Sequence, residues 1–211
     1  MIPFILASTS QNRRDLLDKM GIVYEAQAPD YEEVIDISMP PKEQIQDFAR
    51  GKALSVYTRR QSLGKEAGDF LILGCDSMIS FEGQSIGKPR DRSDAFTQLS
   101  RFRGKSQEIM SGCALLGIVG GKYVEKIFYE STPVQFRSDI TDEQIEQYLA
   151  FGDWEGKCGA YSILGTGIYF LESIDGDFQN IIGIPILKLG AIIRDITGKS
   201  PLEVFKPQGS S

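Results

Sequence analysis

"FLILGCDSMISF", residues 70–81, is the stretch on which the fold turns. Phe70 to Leu73 place four apolar residues in a row, the pattern of a central strand covered on both faces of an α/β sheet. The run contains a single carboxylate, Asp76. Open α/β sheets bind ligands beyond the C-terminal ends of their strands, so Asp76 is a candidate for chemistry. An aspartate that merely caps a turn fits these residues equally well.

Working outward, Pro3 to Ala7 read as a first strand, followed by a helix with Ser10 as N-cap and Leu16, Leu17 and Met20 on its apolar side. "IVYEAQAPDYEEV" is an extended stretch ending in an acidic loop at Asp30, Glu32 and Glu33. Beyond Pro40-Pro41 the spacing of Ile45, Phe48, Ala49, Lys52 and Ala53 predicts a helix over 42–60, broken at Gly64 to Gly68. On the other side, "FEGQSIGKPR" reads as a turn and loop, and Ser93 to Phe102 as a short amphipathic helix. Residues 106–119 and 122–136 are strands joined by a hairpin at Gly120-Gly121. Thr141 to Gln144 form a capping box for a helix ending near Phe151. Residues 156–185 are loop and strand punctuated by glycine, Pro185 opens the last helix to about Ile196, and 206–211 is a loose tail. Strands and helices alternate throughout. The class is α/β with a mixed β-sheet flanked by helices, in a single domain over 1–205.

Composition excludes much. A formal charge of −6 argues against nucleic acid as a partner, so any anionic ligand must be held by a local basic cluster. No segment approaches a membrane span and the N-terminus lacks the pattern of a signal peptide, which points to the cytoplasm. Cys75, Cys113 and Cys158 are odd in number and widely spaced, and read as reduced thiols. The histidine count is 0, which removes Ser-His and Cys-His mechanisms and leaves carboxylates and lysines for acid–base work.

"LASTSQNRRDLL", residues 6–17, sets Arg13 and Arg14 in the first turn of a helix, at the positive end of its dipole. Cations there cost a few tenths of a kcal/mol. A phosphate would cancel that cost and use the unpaired N–H groups as well. Two solvated arginines are the competing reading, and these residues alone do not separate the two. If Glu33 and Asp76 converge, their oxygens suit Mg²⁺ or Mn²⁺. Other phosphate motifs fail: "GQSIGKP" has its glycines too close for a P-loop and proline in place of Ser/Thr, and "GTG" at 165–167 lacks a third glycine.

Six segments, in order, resemble the Maf family of nucleoside-triphosphate pyrophosphatases, which are related to the inosine-triphosphate pyrophosphatases. "LASTSQNRRDLL" is similar to that family's LASxSPRRxxLL, with Gln11 for proline. "YEEV" resembles its acidic loop and "ARGKA" its A-x-x-K-A. "GCDSMISFEGQSIGKPRDRSDA" resembles its aDTxVxxdgxxxgKPxdxxxA signature. "GKSQEIMSGCAL" resembles G-x-x-H-x-V-x-T-x-x-x-L, with Gln107 for histidine. "EGKCGAYSILGTGIYFLESIDGDFQNIIGIPI" resembles the closing KAGaYxIqGxga segment.

The resemblance implies an elongated sheet in two lobes with a central cleft, where Ser8, Arg13, Lys52, Lys88 and Lys157 hold a triphosphate. It assigns Asp76 as catalytic base and Glu33, with Asp76, as ligand of a divalent cation (Mg²⁺, Mn²⁺ or Co²⁺). The implied reaction is hydrolysis of a non-canonical or pyrimidine nucleoside triphosphate to the monophosphate and pyrophosphate, a house-cleaning of the nucleotide pool. A homodimer is a further implication. The rival is a non-hydrolysing nucleotide-binding regulator linked to septum formation. Where thymidine/uridine-triphosphate members have arginine, threonine and glutamine, and 7-methyl-GTP members tryptophan, glutamine and glutamate, this chain has Asn12, Ser77 and Leu164. Leucine can neither donate nor accept, so the expectation is a loosely selective base site with pyrimidines ahead.

Overall fold

The computed structural model describes residues 2–36, 38–64 and 68–205, and in it Phe70–Phe81 form one unbroken strand, β3. The elements before it are β1 (Phe4–Ala7), α1 (Gln11–Lys19), β2 (Glu25–Gln27) and α2 (Pro41–Ser62). After it come β4 (Gln84–Ile86), α3 (Arg92–Phe102), β5 (Ser106–Val119), β6 (Lys122–Phe136) and α4 (Asp142–Ala150). The chain continues through β7 (Leu171–Ile174), α5 (Phe178–Ile182), α6 (Ile186–Thr197) and α7 (Pro201–Val204). The 7-stranded sheet runs β2-β1-β3-β5-β6-β7, with β4 paired to β3. It is mixed: β1 is parallel to β2 and β3, whereas β4 is antiparallel to β3 and β7 to β6. The tail expected at 206–211 lies outside the described residues.

The chain divides into two compact units, one of residues 1–77, 111–130 and 182–211, the other of residues 78–110 and 131–181. In the first unit the apolar run of β3 serves both faces of the sheet. Leu71, Leu73 and Cys75 point into one core with Leu16 and Leu17 of α1 and Leu189 of α6. Phe70 and Ile72 point into the other, with Ala49, Ala53 and Val56 of α2. Leu71, Ile72 and Leu73 are all 0% exposed, and each such side chain is worth roughly 1.5–3 kcal/mol of transfer free energy.

Two glycines bring α2 down onto the strands. A Cβ on Gly74 would meet the Ala49 carbonyl oxygen at 2.2 Å, and one on Gly112 would meet that of Ile45 at 2.4 Å. Helix backbone therefore rests on strand backbone at both points.

The second unit is built around an aromatic file. Phe81 meets Phe102 edge-on with centroids 5.0 Å apart, and Phe136 continues the contact to Tyr161 at 5.1 Å. Thr141 closes the expected capping box on α4. "FEGQSIGKPR" departs from the expected turn and loop. Glu82 and Gly83 both take positive φ, 53° and 77°, so β3 and β4 close as a two-residue hairpin. The segment read as loop and strand also contains α5, because the Asp177 carboxylate accepts from the amides of Gln179 and Asn180 and caps a short turn. Nor is the helix after Pro185 the last, since Ser200 caps α7.

Candidate active site

Asp76 follows directly on the fully buried part of β3, and α2 places Lys52 against it through the seat at Gly74. Lys52 is 8% exposed. Its Nζ donates to Asp76 Oδ1 at 2.7 Å and stands 2.5 Å from Glu33 Oε1. One ammonium thus holds two carboxylates from different parts of the chain. The three charges leave an excess negative charge, a donor set suited to Mg²⁺ or Mn²⁺, which take one or two carboxylates and complete their shell with water and substrate phosphates. Among the described residues no third His, Cys, Asp or Glu side chain joins the pair in a metal-binding group.

Arg13 is not a solvated helix-end cation. It is 8% exposed and turns inward from the first turn of α1. Nε donates to the Gly183 carbonyl at 3.1 Å, Nη2 to Ser77 Oγ at 2.9 Å and Nη1 to Ser8 Oγ at 3.4 Å. All three acceptors are neutral, and Arg13 makes no salt bridge among the described residues. Hydrogen bonds to neutral oxygens orient a buried cation without cancelling its charge, so the positive field persists for an anion. Ser10 occupies the N-cap position of α1, but its hydroxyl makes no cap bond. Ser8 Oγ instead accepts from the Ser10 amide at 3.1 Å. Arg14 reaches the Ser8 carbonyl at 3.5 Å, and Asn12 is exposed on the same turn.

The acidic loop is laid along one stripe of α2. Asp47, Gly51, Ser55 and Arg59 are spaced by four, which aligns them on one helix face. Arg59 Nη2 donates to the Ala28 carbonyl at 2.9 Å and Ser55 Oγ accepts from the Asp30 amide at 3.2 Å. Tyr31 covers Gly51, where an added Cβ would lie 2.1 Å from Tyr31 Cε2. The Tyr31 hydroxyl makes a long bond of 3.4 Å to Asp47 Oδ2. Its phenol is held above the ordinary value by burial, then by the negative charges of Asp47, Glu33 and Asp76. Gln44, one turn further, donates to the Asp36 carbonyl at 3.0 Å. Glycine in mid-helix costs up to about 1 kcal/mol relative to alanine, so Gly51 gives up helix stability for this contact.

The remaining expected residues belong to the second unit. Lys88 and Lys157 are exposed, and their segments are tied by a bond from the Gly159 amide to the Gly87 carbonyl at 3.2 Å. Leu164 is 53% exposed.

Four residues beside the site gave no signal of a place there in the sequence. Ser111 is 0% exposed and its hydroxyl lies 2.9 Å from that of Ser77, which fixes the acceptor used by Arg13. Gly183 presents its carbonyl at a φ of 120°, and a Cβ there would meet Arg13 Nε at 2.9 Å. Cys75 and Cys113 are both fully buried with their sulfurs 3.5 Å apart. Burial, then the bond it donates to Cys75, pushes the Cys113 thiol well above its usual range.

A family model described as "Maf-like protein" matches residues 3–196. The chain is 35% identical over 192 residues to a dTTP/UTP pyrophosphatase of Clostridium acetobutylicum, covering 90% of this chain and 95% of the relative. It is 34% identical over 188 residues to the dTTP/UTP pyrophosphatase of Bacillus pumilus, covering 89% and 93%. Against that of Alkaliphilus oremlandii it is 32% identical over 195 residues, covering 92% and 96%.

Proposed function

The chain belongs to the Maf-like protein family, and on that premise we propose that it hydrolyses pyrimidine nucleoside triphosphates of the dTTP and UTP class to the monophosphate and pyrophosphate. The match runs through segments of both compact units, which supports one catalytic domain over 1–205. The observation that carries the reading is the Lys52 ammonium clamped between Asp76 and Glu33.

Asp76 Oδ1 is engaged by Lys52, which leaves Oδ2 to orient water and accept its proton as the oxygen attacks the α-phosphorus. The bond from that phosphorus to the bridging oxygen breaks and pyrophosphate leaves. Lys52 has three donors, two of them directed at carboxylates, and the third serves a phosphate oxygen. Arg13, oriented by Ser8, Ser77 and the Gly183 carbonyl, supplies charge to the polyphosphate. The family membership supports a phosphate role for Lys88 and Lys157 as well. Glu33 and Asp76 would hold a divalent cation, which supplies positive charge to the triphosphate oxygens.

Base selection is assigned to Asn12, Ser77 and Leu164. Because Leu164 offers no polar group, discrimination among pyrimidines is weak. Helices long and apolar enough to cross a membrane are absent among the described residues. The test is pyrophosphate release from dTTP, UTP, CTP and 7-methyl-GTP with Mg²⁺ or Mn²⁺. Turnover of none of them would overturn the reading in favour of a non-hydrolysing nucleotide-binding protein.

A further inference from the structure

Glu33 is attached to a loop, not to the sheet, and 46% of its side chain is exposed, yet it meets Lys52 at 2.5 Å. Something must hold that loop in register. Lys52 cannot do so alone, because an ion pair whose carboxylate stands half in solvent constrains little. Gly51, the residue before Lys52, carries the contact that can. The Tyr31 ring lies on the bare Cα of Gly51, with Cε2, Cζ and Cδ2 all within 2.5 Å of where a Cβ would stand. Tyr31 is two residues before Glu33. The notch and the ammonium are therefore adjacent on α2, and the ring and the carboxylate are adjacent on the loop.

We propose that the Tyr31 ring seated in the Gly51 notch is the device that positions Glu33, setting the geometry of the Glu33–Lys52–Asp76 cluster for its cation. Tyr31 and Gly51 touch neither substrate nor reacting atoms; they act through Glu33. The neighbouring ties at Ser55 and Arg59 bind loop backbone at Asp30 and Ala28 and fix where the loop starts. The ring fixes how far along the helix Glu33 lands. A one-residue slip would move Glu33 away from Lys52.

This inference rests on the assignment of Glu33 as a cation ligand, and the experiment separates the two. Gly51→Ala, Tyr31→Ala, Tyr31→Phe, Glu33→Gln and the double variant Gly51→Ala/Glu33→Gln are compared in the full chain. Three readouts are taken: melting temperature, Mn²⁺ affinity from the free-Mn²⁺ electron paramagnetic resonance signal without turnover, and kcat/KM for dTTP. Alanine is the better helix former, so Gly51→Ala keeps or raises the melting temperature. Its Mn²⁺ affinity and kcat/KM fall about tenfold or more, the scale of losing a group that orients a metal ligand. Tyr31→Ala, which removes the ring without adding bulk, falls likewise, while Tyr31→Phe keeps the ring and stays close to wild type. In the Glu33→Gln background Gly51→Ala adds no further loss. Wild-type Mn²⁺ affinity and turnover in Gly51→Ala and Tyr31→Ala, with both lost in Glu33→Gln, would overturn the clamp and leave the site assignment standing. Wild-type behaviour of Glu33→Gln would overturn both.

Discussion

Arg13 Nη2 donates to Ser77 Oγ at 2.9 Å, so a buried cation of α1 is joined to the residue that follows Asp76 on β3. Its two other bonds go to the Gly183 carbonyl and to Ser8. The guanidinium is thus aimed by three fixed oxygens before any ligand arrives.

Lysine cannot reproduce that fork. Arg13→Lys keeps the charge but loses its orientation, and hydrogen bonds to charged groups are worth about 1.5–3 kcal/mol each. The expected result is a rise of about 10- to 100-fold in KM for dTTP with the fold retained. Gly183→Ala should weaken triphosphate binding in the same direction with the arginine intact, since its Cβ would crowd Nε at 2.9 Å and the φ of 120° disfavours any side chain. Steady-state kinetics with a thermal melt decides. An unchanged KM in both variants would remove this arrangement from substrate binding.

Asp76→Asn preserves shape and removes the proton acceptor. Turnover should fall at least about 10²-fold while dTTP binding, measured by calorimetry, persists. A variant turning over within a few-fold of wild type would exclude Asp76 as the base.

The alkaline limb of stability has a specific contributor. Tyr123 is 47% exposed, yet it is pushed up to about 12 by partial desolvation and by the bond its hydroxyl donates to Glu125 at 2.9 Å. A phenol whose folded pKa lies above its unfolded value of roughly 10 contributes stability that is complete below pH 10. That contribution is lost as pH rises from 10 towards 12. Absorbance at 295 nm, wild type minus Tyr123→Phe, should show one phenol titrating near 12. A difference curve centred near 10 would contradict the assignment.

Base selectivity should respond to residue 164. Leu164→Gln supplies a donor and an acceptor, and is expected to raise kcat/KM for dTTP, UTP and 5-methyl-UTP, whose bases share one hydrogen-bonding edge, relative to CTP and 7-methyl-GTP. The wild type should spread its preference over less than about a thousandfold, the limit of contacts without hydrogen bonds to the base. A wild-type preference beyond that would refute a loose base site.

What was legible in the sequence was local. Phe70 to Leu73 announce a strand covered on both faces because alternate residues must enter opposite cores, and Thr141 announces α4 because a capping box needs only four residues. The hairpin at Glu82-Gly83 was concealed because glutamate at positive φ is not a turn signal. The short helix α5 depends on one aspartate cap, too little for a periodic pattern to register. In the site, Asp76 stood out as the lone carboxylate of an apolar run and Arg13 as a cation at the wrong end of a helix. Gly51 and Gly183 did not. A glycine used as a notch is defined by the side chain that fills it, and for Gly183 that side chain lies 170 residues away.

The seats of α2 at Gly74 and Gly112 have a consequence for motion. Where backbone rests on backbone there is no side-chain layer to slide or repack, so the helix bearing Lys52 and the strand bearing Asp76 open together or not at all. Amide hydrogens of residues 49–53 are then expected to exchange by global unfolding, and those of the Glu33 loop through smaller local openings. The cluster thus joins a seat without a side-chain layer to a loop arm, and withdrawal of Glu33 would leave Lys52 and Asp76 in place.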